Sequence, residues 1–122
     1  MLVNLTPHPV HIYDQAGPDE GTTDHLAPYL RRTIPPAGRM ARLATSSTGH
    51  REQVEIDGIV IDVEGVQYGS IDGLPEPAEG VWYIVPLVTA LAARRPDLLV
   101  PHQQVRNEHG TVIGCKTLGL VE

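Results

Sequence analysis

The stretch VEIDGIVID, residues 54–62, constrains the fold more than any other part of this chain. Asp57-Gly58 between two β-branched runs is the signature of a two-residue hairpin turn, in which both central residues take positive φ. Such a turn sets Ile56 opposite Ile59 and Val54 opposite Ile61, so the apolar positions stay on one face as the chain reverses. Antiparallel β-structure is therefore expected at the middle of the chain.

The flanking sequence extends that expectation. Residues 2–13 alternate with the period of a strand. His8 shares its phase with Val10 and Ile12, whereas His11 shares its phase with Tyr13, so on a regular strand the two imidazoles leave opposite faces and cannot chelate one ion. Pro7 and Pro9 lack N–H groups toward the same lateral neighbour, which implies an edge strand, a crossing between sheets, or an irregular middle. Residues 14–29, DQAGPDEGTTDHLAPY, read as turn and loop. Pro35, Pro36 and Gly38 signal a tight turn before a short strand at Met40–Ala44. Asn107–Gly110 signals another turn, pairing Val105 with Ile113. Residues 69–80, GSIDGLPEPAEG, read as a connection, and the unbroken apolar run at 81–85 as a buried strand.

One helix is expected near residues 86–95, about three turns long, opened by Pro86 and stopped by Pro96. Leu87, Val88, Leu91 and Ala92 fall on one side of it. Arg94 and Arg95 lie at its negative end. The expected fold is thus mainly β (α+β): a single domain over residues 1–122, with six or seven short strands, barrel-like, and one helix.

Composition narrows the function classes. With 122 residues the chain suits one core, and that core is aliphatic because there is no Phe and one Trp. A net charge of −6 opposes nonspecific binding to nucleic acid or to an anionic membrane. The single cysteine, Cys115, leaves no internal disulfide and no cysteine-rich zinc site. No apolar run of about 18 residues and no signal-peptide pattern is present, so a cytoplasmic location is expected.

Charge is strongly segregated. From His25 to Arg51 there are five arginines and no acid; from Glu52 to Glu79 there are eight acids and no Lys or Arg. The basic segment ends in ATSSTGHR, where hydroxyls and backbone N–H groups accompany guanidinium forks, the chemistry that holds phosphate or carboxylate. Arg39, Arg42, Ser46, Ser47, Thr48, His50 and Arg51 are therefore the candidate ligand-binding residues, for an anionic, nucleotide-like small molecule or an acidic protein surface. The bland alternative is a solvated loop whose arginines pair with the neighbouring acids. Asp62 and Glu64 share a strand face, as two ligands of a divalent ion would, but they read equally as the wet side of a hairpin, and no metal site is assigned.

The six histidines show neither HxH nor HExxH spacing, and no serine has a GxSxG context. Cys115, within VIGCKTL, reads as a buried small residue, with Lys116 pointing to the opposite face. No catalytic residue and no cofactor is assigned. A histidine-dependent hydrolase or lyase is kept as an alternative, with His8 or His50 as base and an acid of residues 52–64 as partner. A structural module joining copies through an edge strand near Pro7 is another.

LTPHPVHIYD, TIPPAGRMAR, GLPEP, WYIVP, RPDLLVP and VRNEHGTVIGC, in that order, resemble a family of small uncharacterised proteins of actinobacteria and their phages or mobile elements. The resemblance spans nearly the whole chain and transfers no site residue. It implies an accessory protein that binds a host protein or a nucleotide-like signal.

Overall fold

The computed structural model describes residues 1–122 as one six-stranded sheet and one two-stranded arm. The elements in chain order are β1 (Leu2–Asn4), β2 (Val10–Tyr13), α1 (Thr23–Leu26) running into a 3-10 turn (Ala27–Tyr29), β3 (Leu30–Ile34), β4 (Arg42–Ile56), β5 (Ile59–Asp72), β6 (Trp82–Ile84), α2 (Leu87–Ala93), β7 (Leu98–Arg106) and β8 (Val112–Leu120). The sheet runs β1-β6-β7-β8-β2-β3, and β4 and β5 pair only with each other. A bridge between Asn4 and Pro36 brings the two ends of the sheet together, so the sheet is a nearly closed barrel. The mainly β, barrel-like fold is as the sequence implies; eight strands and two short helices stand where six or seven strands and one helix are expected.

Asn4 makes that closure. Its side-chain amide donates to the carbonyls of His8 (2.8 Å) and Ile34 (3.1 Å), and its carbonyl accepts from the Thr6 N–H (3.0 Å) and Thr6 hydroxyl (2.6 Å). Every polar atom of a side chain that is 1% exposed is thereby used. The prolines fall in the segment between β1 and β2, where the chain crosses from one end of the sheet to the other; β2 itself lies inside the sheet, between β8 and β3. The irregular middle thus displaces the edge strand near Pro7.

Three small apolar clusters fill the molecule. The largest packs Leu5, Tyr83, Val85, Leu98 and Val100 beneath Ala41 and Ala90. Ile84, Val10 and Cys115 meet on the other face of the sheet, and Tyr13, Leu26 and Val105 meet under α1. The alternation of Tyr83, Ile84 and Val85 between two clusters explains why 81–85 is apolar without a break.

Other sequence expectations are corrected. α2 has seven residues, about two turns, and Arg94 ends it in the left-handed conformation at φ 49. Thr89 and Ala90 face inward, whereas Leu87 (55% exposed), Val88 (55%) and Leu91 (43%) face out. A helix lying this close to a sheet admits only small side chains beneath it, so its larger residues are the exposed ones. Arg95 turns away from the helix end and is paired with Asp97. The loop at 14–29 contains α1, capped by the Thr22 hydroxyl accepting from the His25 N–H. β3 was not legible, and Val105 pairs with Gly114, not Ile113, because a bulge follows it.

Candidate functional site

The hairpin at Asp57-Gly58 forms as its sequence requires, with φ of 53° and 79° and with the pairs Ile56–Ile59 and Val54–Ile61. Its extent is the surprise. The short strand expected at Met40–Ala44 begins at Arg42 and continues through the Ser/Thr stretch for 15 residues, and β5 runs 14 residues into what reads as a connection. At about 3.4 Å per residue the arm is roughly 45 Å long. No residue of Arg42–Asp72 belongs to any of the three apolar clusters.

Two bulges let unpromising residues join these strands. Thr48, Gly49 and His50 lie between the pairs Ser47–Val66 and Arg51–Glu64, opposite Gly65 alone. Gly49 takes φ 85, and a Cβ on Gly65 would lie 2.2 Å from the Thr48 hydroxyl, so both glycines are required there. Gly69 and Ser70 form the second irregularity, near the base.

Directly paired residues share a face of the ribbon. Beyond the first bulge one face carries Val54, Ile56, Ile59, Ile61 and Val63 with Glu52; the other carries Arg51, Gln53, Glu55, Asp62 and Glu64 with Val60. The aliphatic face is 37–64% exposed. Closer to the base, Val66 and Tyr68 (56% and 64% exposed) occupy the opposite face, paired with Ser47 and Thr45. The alternation is that of a half-buried sheet, and this chain supplies nothing to bury it.

The seven candidate ligand-binding residues are strung along this arm and do not converge. Arg39 precedes β4 and Arg42 begins it; together they line a shallow depression of about 500 Å3 at the arm's base, with Asp72 also on its rim. Neither guanidinium is in an ion pair, although pairs form at Arg31, Arg51, Arg95 and Lys116. Arg51 lies about 30 Å farther along the strand by its rise, with its guanidinium 3.9 Å from Glu64. Ser46 pairs with Gln67, and the Ser47 and Thr48 hydroxyls accept from the N–H groups of Gly49 (3.2 Å) and His50 (3.3 Å) inside the bulge. The stretch expected as an anion-binding loop is thus a bulged strand.

The histidine–acid pairs imagined for catalysis are not enclosed. His50 Nε2 lies 3.4 Å from Glu52, with both side chains at least 60% exposed. His8 borders a groove of about 650 Å3 beside Thr6, His102 and Gln104, and no carboxylate lines it. His11 bonds through Nδ1 to the Thr33 hydroxyl (2.9 Å), away from His8. No three His, Cys, Asp or Glu side chains are grouped as metal ligands. Cys115 is fully buried, and burial pushes its thiol pKa up, as a packing role requires.

Sequence reasoning missed the arm's length and its uncovered apolar strip, although the alternation from Gln53 to Val63 was the available signal. It also missed the groove, beside which Gln103 is held at φ 55 within β7. No helix is long and apolar enough to cross a membrane. Comparison of the chain with protein-family models, with curated proteins and with solved structures returns no match.

Proposed function

We propose that this protein is a small non-enzymatic binding protein that works through its β4–β5 arm, with a protein partner covering the aliphatic strip and the barrel serving as the arm's mount. The observation that carries this reading is the strip itself: five aliphatic side chains on one face of a two-stranded ribbon with no third strand or helix over them. An isolated two-stranded hairpin is marginal in water, and exposed apolar patches of this kind mark interaction surfaces. The sequence resemblance noted above supports an accessory role in a phage or mobile element. The test is hydrogen exchange of the arm amides, in the purified protein over a range of concentrations and after addition of soluble extract from its native cell. Protection of residues 51–64 under either condition is the expected result; exchange at unprotected rates under both would remove the reading.

An anionic, nucleotide-like ligand is a second reading, supported by the unpaired Arg39 and Arg42 in one depression. Native mass spectrometry of protein purified from cells checks it. A retained phosphate-bearing mass that is lost on Arg42→Ala supports it, and the bare sequence mass in both proteins counts against it.

A further inference from the structure

We infer that the arm's partner is a second copy of this chain, and that the two arms lie side by side and antiparallel, each tip at the other's base. This rests on the arm being a protein-binding surface, and three features of the arm select the occupant.

The first is charge. Beyond the bulge the arm carries Glu52, Glu55, Asp57, Asp62 and Glu64 against Arg51 alone, whereas the base carries the unpaired Arg39 and Arg42 with Asp72. Antiparallel arms bring the acidic end of each against the basic end of the other. The segregation that is so marked in the sequence thereby becomes complementarity between copies, and the acidic tip repels nucleic acid.

The second is the placement of apolar surface. Val66 and Tyr68 lie on the face opposite the strip and stay outside this contact, so the apolar surface near the base that the partner's strip can meet is that of α2. Ala41, immediately before β4, shares a cluster with Ala90 of α2, so α2 flanks the base of the arm. Its outward residues Leu87, Val88 and Leu91 are then next to the partner's Ile56 and Ile59. Two otherwise unexplained apolar surfaces, on the arm tip and on the helix, account for each other.

The third is reach and area. A tip roughly 45 Å from its base cannot fold back onto that base, so the contact is between molecules. A ribbon about 45 Å by 10 Å offers on the order of 450 Å2 per copy, or about 900 Å2 in all, near the lower limit for a specific interface. An interface at this limit is a weak or transient one, so the dimer should be in reversible exchange with the monomer.

Sedimentation equilibrium of the full chain from about 1 to 200 μM tests this, with two charge-reversed proteins: a tip variant, Glu52→Arg with Glu55→Arg and Asp62→Arg, and a base variant, Arg39→Glu with Arg42→Glu. Wild type is expected as a reversible monomer–dimer. Each variant alone should dimerise about tenfold more weakly or worse, because each then sets like charges together at both ends. An equal mixture should regain wild-type affinity, since a reversed tip meets a reversed base at one end and a native tip meets a native base at the other. Unchanged thermal unfolding of the barrel, together with unchanged hydrogen exchange of the arm amides in the dilute monomer, shows for each variant that folding is not what was lost. Dimers indifferent to both reversals, variants that fail to complement, or a larger assembly would overturn the antiparallel arrangement. A monomer throughout would overturn self-association. In that case arm protection by cell extract would leave the arm reading standing with a different protein as occupant, and no protection would remove both.

Discussion

The barrel and the arm are built from the same aliphatic, β-branched residue types, yet they solve opposite problems. In the barrel, Tyr83, Ile84 and Val85 each find a layer to bury them, and Asn4 closes the sheet with four hydrogen bonds. In the arm, Ile59 and Ile61 are as aliphatic as Ile84, and they are 64% and 45% exposed. The period of a strand specifies that one face will be covered; it does not specify by which molecule. Independent stability should reside in the barrel and recognition in the arm, and substitutions in each region measure how separate they are.

The largest effect is expected at Asn4. Asn4→Ala removes the partners of the Thr6 N–H and the Ile34 carbonyl in a partly buried site, while the His8 carbonyl keeps the Thr6 hydroxyl (3.1 Å). At about 1–3 kcal/mol for each buried group left unpaired, the loss is on the order of 3 kcal/mol or more. The melting temperature should fall by roughly 10 °C or more on the usual scaling for a chain of this size. A fall of only about 2 °C would show that closure of the barrel does not depend on this clamp.

A smaller effect belongs to the ion pair that ties the connection after the arm to the barrel. Arg95 Nε and Nη2 donate to Asp97 Oδ1 (2.9 Å) and Oδ2 (2.6 Å), and Nη1 donates to the carbonyl of Pro75 (2.8 Å). The Arg95 hydrogen bonds hold the Asp97 carboxyl below its ordinary range, against its partial burial. Because the folded pKa is the lower one, the stability this contributes is full above the unfolded value near 4 and is lost as pH falls through the folded value. Asp97→Asn should cost about 2 kcal/mol at pH 7 and less at pH 3, as urea unfolding at the two pH values would report. An equal cost at both would place the contribution in packing and not in charge.

How much of this division the sequence disclosed follows from the range of the interactions. The turn at Asp57-Gly58 is local, since two residues with positive φ determine it, and so both the turn and its register were legible. The buried run at 81–85 was legible because burial on both faces leaves a continuous apolar signature. β3 was not, because Leu30–Thr33 are exposed and carry no alternation. The Ser/Thr stretch reads as a loop because a bulge is a relation between Gly49 on one strand and Gly65 on the other, and neither strand reveals it alone. The candidate ligand residues are neighbours in sequence; an extended strand spreads such neighbours along its length, and only Arg39 and Arg42 share one depression.

Within the arm itself the turn is the point of least redundancy. Gly58→Ala puts a Cβ at φ 79, which costs about 1 kcal/mol. Nothing crowds that position, so the cost is one of backbone conformation alone. It should appear as faster hydrogen exchange across Val54–Ile61 with the barrel's melting temperature unchanged. A barrel transition that moves with it would mean that arm and barrel unfold as one unit.

The smallest effect on stability should come from the middle of the aliphatic strip, and it separates the two regions most sharply. Ile61→Thr keeps a β-branched side chain of good strand propensity and removes only apolar surface that is already 45% exposed. The same argument applied to Leu98, 1% exposed at the centre of the largest cluster, gives about 3 kcal/mol for Leu98→Ala through lost burial and the cavity left behind. For Ile61→Thr the expected change in barrel stability is under about 0.5 kcal/mol, the range of ordinary surface substitutions. Assembly should nonetheless weaken, because Ile61 lies opposite Val54 at the centre of the surface that a partner must cover. Thermal unfolding and sedimentation of this one variant therefore read the two regions separately: an aliphatic residue whose loss leaves the monomer intact and impairs the assembly has its burying surface on another molecule.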